Sequence, residues 1–177
     1  VCTQILIDDF KAEVIINTGI AGSLNADINI GDIVVSTDLI HHDMNAVAFG
    51  YPVGQIPQME AFSFHSDDAL RALAVKACKE SNPDIDVFEG RIASGDQFVA
   101  DQGVKDFITR EFGAYAVEME GAAIAQAAYL NNVPFLVIRA ISDKADGSAE
   151  MDYPTFEAKA AEHSFKLTLH ILKDIQG

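Results

Sequence analysis

Short apolar segments rich in β-branched residues alternate with amphipathic segments along most of this 177-residue chain. Apolar runs of this length that end at glycine or polar residues are typical of buried strands, and the amphipathic segments have helical spacing. We predict strands at Glu13–Asn17, Asp32–Ile40, Val87–Ala93, Ala114–Val117 and Pro134–Ile141. Helices are predicted from Ser66 as N-cap, over about Gln102–Phe112, after Gly121 to about Leu130, and from Pro154 onward.

This alternation determines the expected fold class. Strands that alternate with helices usually form parallel sheets that are covered by helices on both faces. The chain length supports one domain with a sizeable core rather than two domains. We therefore predict a single α/β domain with a mixed, mainly parallel central sheet.

The charge of the chain limits its classes of partner. Lys and Arg total 12 against 27 Asp and Glu, which gives a net charge of −15. Such a chain repels phosphate backbones and anionic lipid, so we expect neither nucleic acid nor a membrane as a partner. No apolar run reaches the roughly 18 residues that cross a bilayer, and Cys2 and Cys78 fit no disulfide or metal framework. The expected location is the cytoplasm.

Glycines and charged residues cluster at the ends of four predicted strands. Because the carboxyl ends of parallel strands meet at one edge of a sheet, these segments should share a rim. Glycine allows close approach of a ligand to the backbone, and carboxylates supply acid/base and hydroxyl-binding groups, so we expect a small polar ligand. The segments are TGIAG at Thr18–Gly22, SGDQF at Ser94–Phe98, VEMEG at Val117–Gly121 and RAISD at Arg139–Asp143.

Each of these segments also has a purely structural interpretation. The TGIAG segment is compatible with a tight turn between a strand and a helix. Glu118 and Glu120 are compatible with carboxylates stabilised by a helix N-terminus, and Asp143 with a helix N-cap. Their joint position at strand ends favours the ligand site.

Other chemistries find little support in the sequence. His41 and His42 are adjacent, and adjacent side chains of an extended segment point in opposite directions, so we expect no metal site. The patterns of serine hydrolases, P-loop NTPases and dinucleotide-binding domains are absent from the sequence. Cys78 lies on the apolar face of its helix, where we expect it to be buried rather than nucleophilic.

Five segments resemble the bacterial 5′-methylthioadenosine/S-adenosylhomocysteine nucleosidases of the nucleoside phosphorylase superfamily. Together they cover most of the chain, in the family's order and spacing. They are INTGIAGSL at Ile16–Leu24, GDIVVSTDLIHHDMNAVAFGY at Gly31–Tyr51, ASGDQFV at Ala93–Val99, AVEMEGAAIAQ at Ala116–Gln126 and VPFLVIRAISDKAD at Val133–Asp146.

The resemblance implies irreversible hydrolysis of the N-glycosidic bond of an adenine thio-nucleoside, without a metal or an organic cofactor. Asp143 matches the family's general acid, which protonates adenine at N7 and so improves the leaving group. Ser142 is placed to orient Asp143. Glu120 matches the carboxylate that binds the ribose hydroxyls and stabilises an oxocarbenium-like sugar. Arg139 matches the arginine that helps to position the water.

The resemblance also implies a substrate-binding set. Phe98 stacks on adenine, the Val99 backbone contacts its edge, and Met119 packs on the sugar. Ala21, Gly22 and Glu118 line the same site.

A long loop between His41 and Ser63 has a role in the family's homodimers. There it reaches across the subunit boundary, so Phe49, Tyr51 and Pro57 would close the partner's pocket over the 5′-alkylthio group, together with Tyr153. Phe49 and Tyr51 are also compatible with ordinary loop anchors.

The chain departs from the family pattern in two places. Family members begin with a strand whose glutamate activates the attacking water, and nothing before Ile16 matches it. We expect the N-terminal strands of the family fold to be missing from this sequence, and the alternative is a binding-competent relative with little turnover. Ile20 stands where relatives often carry serine.

Competing functions share the fold. A phosphate-dependent purine nucleoside phosphorylase needs arginines around an anion site, but Arg71, Arg91 and Arg110 fall on predicted helices or in mid-strand. Asp143 stands where phosphorylases of 6-oxopurines carry asparagine, which favours adenine. Hydrolases of futalosine or AMP and a non-catalytic nucleoside-binding relative also stay open.

Overall fold

The computed structural model describes residues 1–144 and 153–176, and within the last helix it describes side chains for residues 161–173 only. The helices of the described part are α1 Cys2–Asp8, α2 Asp68–Ser81, α3 Gln102–Phe112, α4 Gly121–Leu130 and α5 Tyr153–Gln176, with a 3₁₀ turn at Val47–Phe49. The strands are β1 Ile15–Ser23, β2 Ile33–His41, β3 Phe64–His65, β4 Val87–Ser94, β5 Ala116–Glu118 and β6 Phe135–Asp143. No helix in these residues is long and apolar enough to cross a membrane.

The strands form one mixed sheet that is partly closed. The strand order is β3-β2-β4-β5-β1-β6, and β2 also pairs with β6. Pairs β1–β6, β2–β4 and β4–β5 are parallel, whereas β1–β5, β2–β3 and β2–β6 are antiparallel. A single-domain α/β fold with a mixed sheet is confirmed, but the description of the sheet as mainly parallel does not fit.

Irregularities in two long strands explain the closure. The register shifts between Ala21 and Gly22 on β1, and between Ser36 and Leu39 on β2. Such shifts bend a strand and increase its twist, so β2 can follow β4 while its first residues meet β6. Alternation of strands and helices in the sequence does not encode this bending.

Helices cover both faces of the sheet. One buried cluster joins α2 and α5 to residues of β2 and β6, and it contains Leu70, Ala74, Ala77, Cys78, Leu167 and Ile171. Neighbouring residues of the same strands, which point to the opposite face, pack against the alanines of α4. Cys78 is fully buried as predicted, and burial raises the pKa of its thiol to about 11.

Two predicted local features differ in the structure. The N-cap of α2 is Asp67, whose side chain accepts a hydrogen bond from the Leu70 N–H at 2.9 Å. Ser66 instead forms a buried hydrogen bond with Ser36, with 2.6 Å between their hydroxyl oxygens. The tight-turn interpretation of the TGIAG segment is wrong, because Thr18–Gly22 continues β1 and pairs with β6.

Candidate active site

A cavity of about 570 Å³ lies where β1 and β6 end, beside β5 and the loop that follows β4. Nine of the predicted site residues line it: Ala21, Gly22, Phe98, Val99, Glu118, Met119, Glu120, Ser142 and Asp143. Ile20, Ala100, Lys105, Val117 and Lys144 complete the lining. The structure therefore brings together residues from four separate strand ends, as the sequence predicted.

Asp143 is held by hydrogen bonds at both carboxylate oxygens. Ser142 Oγ lies 3.0 Å from Asp143 Oδ1 and 3.2 Å from the Ala21 carbonyl oxygen. Lys105 Nζ lies 3.1 Å from Asp143 Oδ2. A methyl group at Gly22 would come within 3.0 Å of the same carboxylate, so glycine at this position makes room for it. Because Asp143 lies in β6, well before α5, its interpretation as a helix N-cap is wrong.

Glu118 and Arg139 form a buried ion pair behind the cavity. Both side chains are 2% exposed, and Arg139 Nη2 lies 2.5 Å from Glu118 Oε2. Burial would raise the pKa of Glu118, but the Arg139 charge and the hydrogen bonds from Ser94 and Arg139 outweigh it and hold that pKa below its ordinary value. Glu118 is therefore ionised at neutral pH.

The Glu118 carboxylate also lies at the N-terminus of α4, although the residue itself belongs to β5. Its carboxylate accepts hydrogen bonds from the Gly121 N–H at 2.8 Å and from the Glu120 N–H at 3.1 Å. Ser94 Oγ donates to the other carboxylate oxygen and itself accepts from the Ala122 N–H at 2.7 Å. The helix-terminus interpretation thus holds for Glu118, which satisfies amide groups that the helix leaves unpaired.

Glu120 is arranged differently, although it is only two residues away. It is the N-cap residue of α4, but its side chain makes no capping bond and is 65% exposed. Among the described residues, the nearest cationic atom is Arg139 Nη2, 3.9 Å from Glu120 Oε2. The Glu120 carboxylate is therefore available to a ligand in the cavity.

Arg139 is used mainly within the protein. Besides its pair with Glu118, its Nη2 donates to Asn17 Oδ1 at 2.5 Å and its Nη1 to the Ile138 carbonyl at 3.1 Å. Among the described residues, it is not part of the cavity lining. Arg139 contacts the cavity lining at Glu120, where its Nη2 lies 3.9 Å from Glu120 Oε2.

Two exposed apolar side chains on the cavity wall offer a surface on which a flat ligand can pack. Phe98 is 78% exposed, and Met119 is also exposed. Both line the cavity together with Val99. An exposed aromatic ring at a cavity is suited to stacking against a planar base.

The long loop stays away from the cavity of its own chain. Phe49 ends the 3₁₀ turn and is 83% exposed, Pro57 is exposed, and Tyr51 is partly buried. None of the three lines the cavity in the described part of the chain. Tyr153 begins α5, and its side chain lies outside the described residues.

Sequence reasoning missed Lys105. It is 5% exposed, although lysine is rarely buried, and it lines the cavity from α3. The sequence does carry a signal, because Lys105 lies three residues before Ile108 and seven before Phe112, on the apolar face of α3. A lysine in an apolar stripe indicates a buried partner.

Comparisons with known proteins show the family to which the chain belongs. The family model of the phosphorylase superfamily matches residues 1–173. The 5′-methylthioadenosine/S-adenosylhomocysteine nucleosidase of Bacillus licheniformis is 45% identical over 174 residues, which cover 98% of this chain and 74% of that protein.

Solved structures of related enzymes have the same fold as this chain. The Campylobacter jejuni 5′-methylthioadenosine/S-adenosylhomocysteine nucleosidase superimposes with a TM-score of 0.91 at 36% identity, over 98% of this chain and 74% of that one. The futalosine hydrolase of Helicobacter pylori superimposes with a TM-score of 0.89 at 39% identity, over 98% and 73%. The chain therefore belongs to the phosphorylase superfamily and, within it, to the family of the 5′-methylthioadenosine/S-adenosylhomocysteine nucleosidases.

Proposed function

We propose that this protein hydrolyses the N-glycosidic bond of 5′-methylthioadenosine and S-adenosylhomocysteine, releasing adenine and the thioribose product. The observation that carries the proposal is the pair of carboxylates, Asp143 and Glu120, that line one cavity in different environments. Asp143 is fixed by two neighbours, whereas Glu120 is exposed to the cavity. Family membership with relatives named for this activity supports the same reaction.

Asp143 is the proposed general acid. As the bond between C1′ and N9 breaks, its electron pair passes into the purine ring, and a proton delivered to N7 neutralises the leaving group. The hydrogen bond between Ser142 and Asp143 keeps the carboxyl group oriented toward the position of the base. Phe98 stacks on the base, and the Val99 backbone contacts its edge.

Glu120 is the proposed partner of the ribose. Its carboxylate accepts hydrogen bonds from the ribose hydroxyls and opposes the positive charge that develops on the sugar. Glu118 takes over the capping of α4, so Glu120 is not needed there. Met119, Ala21 and Gly22 pack around the sugar. Arg139, whose Nη2 lies 3.9 Å from Glu120 Oε2, is proposed to help position the attacking water.

The attacking water also needs a base. The carboxylates among the described cavity residues are Glu118, Glu120 and Asp143, and each has another proposed or observed role. We propose that the activating glutamate belongs to N-terminal strands that these 177 residues lack. The length of the relatives supports this proposal, because the chain spans 74% of the Bacillus licheniformis protein.

A homodimer is part of the proposal. Phe49, Tyr51 and Pro57 lie away from the cavity of their own chain, which leaves them able to close the pocket of a partner.

A cytoplasmic location stays a prediction. Tyr153 is proposed to contact the 5′ substituent.

The rival reaction with phosphate is less well supported by the charges. Arg71 pairs with Asp68 and Glu89, Arg91 with Asp38, and Arg110 with Glu111. The cationic residues among the described cavity lining are Lys105 and Lys144, and Lys105 is paired with Asp143. Among the described lining residues, Lys144 is then the one cation without an ion pair to a described residue, whereas a phosphate ion is usually bound by several charged or amide donors.

The test is adenine release from 5′-methylthioadenosine by the product of the whole gene and by the 177-residue chain, each with and without phosphate. We expect phosphate-independent release by the whole product and little release by the short chain. A phosphate requirement would overturn the hydrolase, and equal turnover by both proteins would overturn the proposed source of the base. S-adenosylhomocysteine, futalosine and AMP should be tested beside it, and a clear preference for futalosine or AMP would overturn the substrate assignment.

A further inference from the structure

Lys105 places a buried ammonium group against the proposed general acid. Its side chain contacts two acceptors, Asp143 Oδ2 at 3.1 Å and the carbonyl oxygen of Lys144 at 3.2 Å. A buried lysine without acceptors is costly, so these two contacts fix where the ammonium group lies. Both acceptors belong to the segment in which β6 ends.

The helix that carries Lys105 is itself well anchored. Asp101 caps α3 by accepting the Val104 N–H at 3.0 Å, and Thr109 Oγ1 donates to the Lys105 carbonyl at 2.9 Å. Ile108 and Phe112 of the same face are buried in the core. The ammonium group is therefore carried by a helix that is capped at its N-terminus and packed into the core.

The two oxygens of Asp143 have different neighbours. Oδ2 faces the Lys105 ammonium group, which only donates hydrogen bonds, so a proton on Oδ2 would face another donor. Oδ1 faces Ser142, whose hydroxyl has a second acceptor within reach, the Ala21 carbonyl at 3.2 Å. When Oδ1 carries a proton, the Ser142 hydroxyl can turn its own proton to Ala21.

We propose that Lys105 is a positioning residue for Asp143: it holds Oδ2 unprotonated and directed inward, so that Oδ1 is the oxygen that passes a proton to N7 of the purine. This inference rests on the proposed function and names a residue that the family resemblance did not supply. In the step, the Oδ1 proton moves to N7, the electron pair of the C1′–N9 bond moves to the purine, and Asp143 is left as a carboxylate. Water supplies the hydroxyl group to C1′ and releases its other proton, so that Asp143 can be reprotonated from solvent.

A purely structural ion pair would give a different pattern of defects. Loss of a structural contact between α3 and β6 should affect all substrates alike and lower thermal stability. Loss of a positioning contact should affect only leaving groups that need a proton. A p-nitrophenyl 5-methylthioriboside is the matched probe, because p-nitrophenolate leaves without protonation.

The experiment uses the whole gene product and the variants Lys105→Met and Lys105→Arg, with Asp143→Asn as the reference for loss of the acid. Lys76→Met, an exposed lysine on α2, is the control. We expect Lys105→Met to lower kcat for methylthioadenosine by at least about 10-fold, a part of the 10²–10⁴-fold typical of general acid catalysis. The p-nitrophenyl substrate should change by less than about threefold, and Lys105→Arg should recover part of the loss. Equal loss on both substrates, or no loss on either, would overturn the proposal.

A binding measurement separates this inference from the proposed function. A pyrrolo[3,2-d]pyrimidine analogue of the nucleoside carries a fixed N7–H that an Asp143 carboxylate would accept, and its binding needs no turnover. We expect Lys105→Met to weaken its binding about 10-fold and Lys105→Arg to weaken it less, whether or not the wild type hydrolyses methylthioadenosine. Lys105→Gln, which keeps a hydrogen-bond donor, replaces Lys105→Met if that variant does not fold. Unchanged affinity would overturn the role of Lys105, whereas failure of the wild type to release adenine would overturn only the proposed function.

Discussion

Removing Arg139 should show how much the stability of the fold depends on one buried ion pair next to the cavity. In the variant Arg139→Met, the Glu118 carboxylate stays buried but loses its cationic partner. It keeps its hydrogen bonds from Ser94 and from the Gly121 and Glu120 amides. Asn17 and the Ile138 carbonyl each lose a donor.

The structure sets the size of the effect. Breaking a buried pair by removing one partner typically costs 3–5 kcal/mol, because an uncompensated charge stays in the interior. The remaining donors to Glu118 place this case at the lower end, about 3 kcal/mol in the free energy of unfolding. For a chain of this size, such a loss lowers Tm by roughly 6–12 °C.

Urea denaturation of four proteins measures the effect and its origin. These are the wild type, Arg139→Met, Glu118→Gln and the double variant. If the two side chains stabilise each other, the double variant loses less than the sum of the single losses, by about 1–3 kcal/mol. Arg110→Ala removes an exposed pair with Glu111 and should cost less than about 0.5 kcal/mol.

Two results would refute this reasoning. A loss of less than about 1 kcal/mol for Arg139→Met would mean that the amide and hydroxyl donors alone compensate the Glu118 charge. Strict additivity in the cycle would mean that the two side chains act through separate neighbours rather than on each other.

Three further predictions concern single positions. Because the pKa of Glu118 lies below its ordinary value of 4.5, its charge contributes stability above about pH 4.5 that is lost as the pH falls through the lower folded-state pKa. The stability difference between wild type and Glu118→Gln should therefore shrink in acid, and a constant difference from pH 7 to pH 3 in urea titrations would contradict this. A methyl group at Gly95 would lie 2.5 Å from Nε2 of the buried His42, so Gly95→Ala should cost about 1–3 kcal/mol by urea denaturation, and a neutral effect would show that His42 moves freely. Phe98→Ala should raise KM for methylthioadenosine roughly 5- to 150-fold, the equivalent of 1–3 kcal/mol of stacking, with Tm unchanged because the ring is exposed; an unchanged KM would remove Phe98 from the base-binding surface.

The sequence predicted the order of the elements well, and it predicted the closure of the sheet poorly. The helix Gln102–Phe112 has the predicted bounds, and the strand from Val87 ends one residue later than predicted. These elements are set by local periodicity and by nearby caps. The pairing of β2 with β6 depends instead on the twist and bending of strands far apart in the chain, which no local pattern reports.

The same distinction explains which of the cavity-lining residues could be predicted from the sequence. Residues at strand ends, such as Ser142 and Asp143, follow from the rule that such ends meet at one rim. Lys105 enters the cavity from the side of a helix, so its place depends on how α3 packs against the sheet. Its position on the apolar face of α3 was the available signal.

Glu118 and Glu120 illustrate how two similar residues acquire different chemistry from backbone geometry alone. Glu118 is the last residue of β5, where its side chain turns inward and meets both Arg139 and the first amides of α4. Glu120 lies at the start of α4 and points to the cavity side, where it has one distant cation and no capping bond. Glu118 and Ser94 accept the hydrogen bonds of the first amides of α4, and the Glu120 carboxylate makes no capping bond there. The buried pair therefore acts on the candidate chemistry indirectly, because it leaves the second glutamate unoccupied.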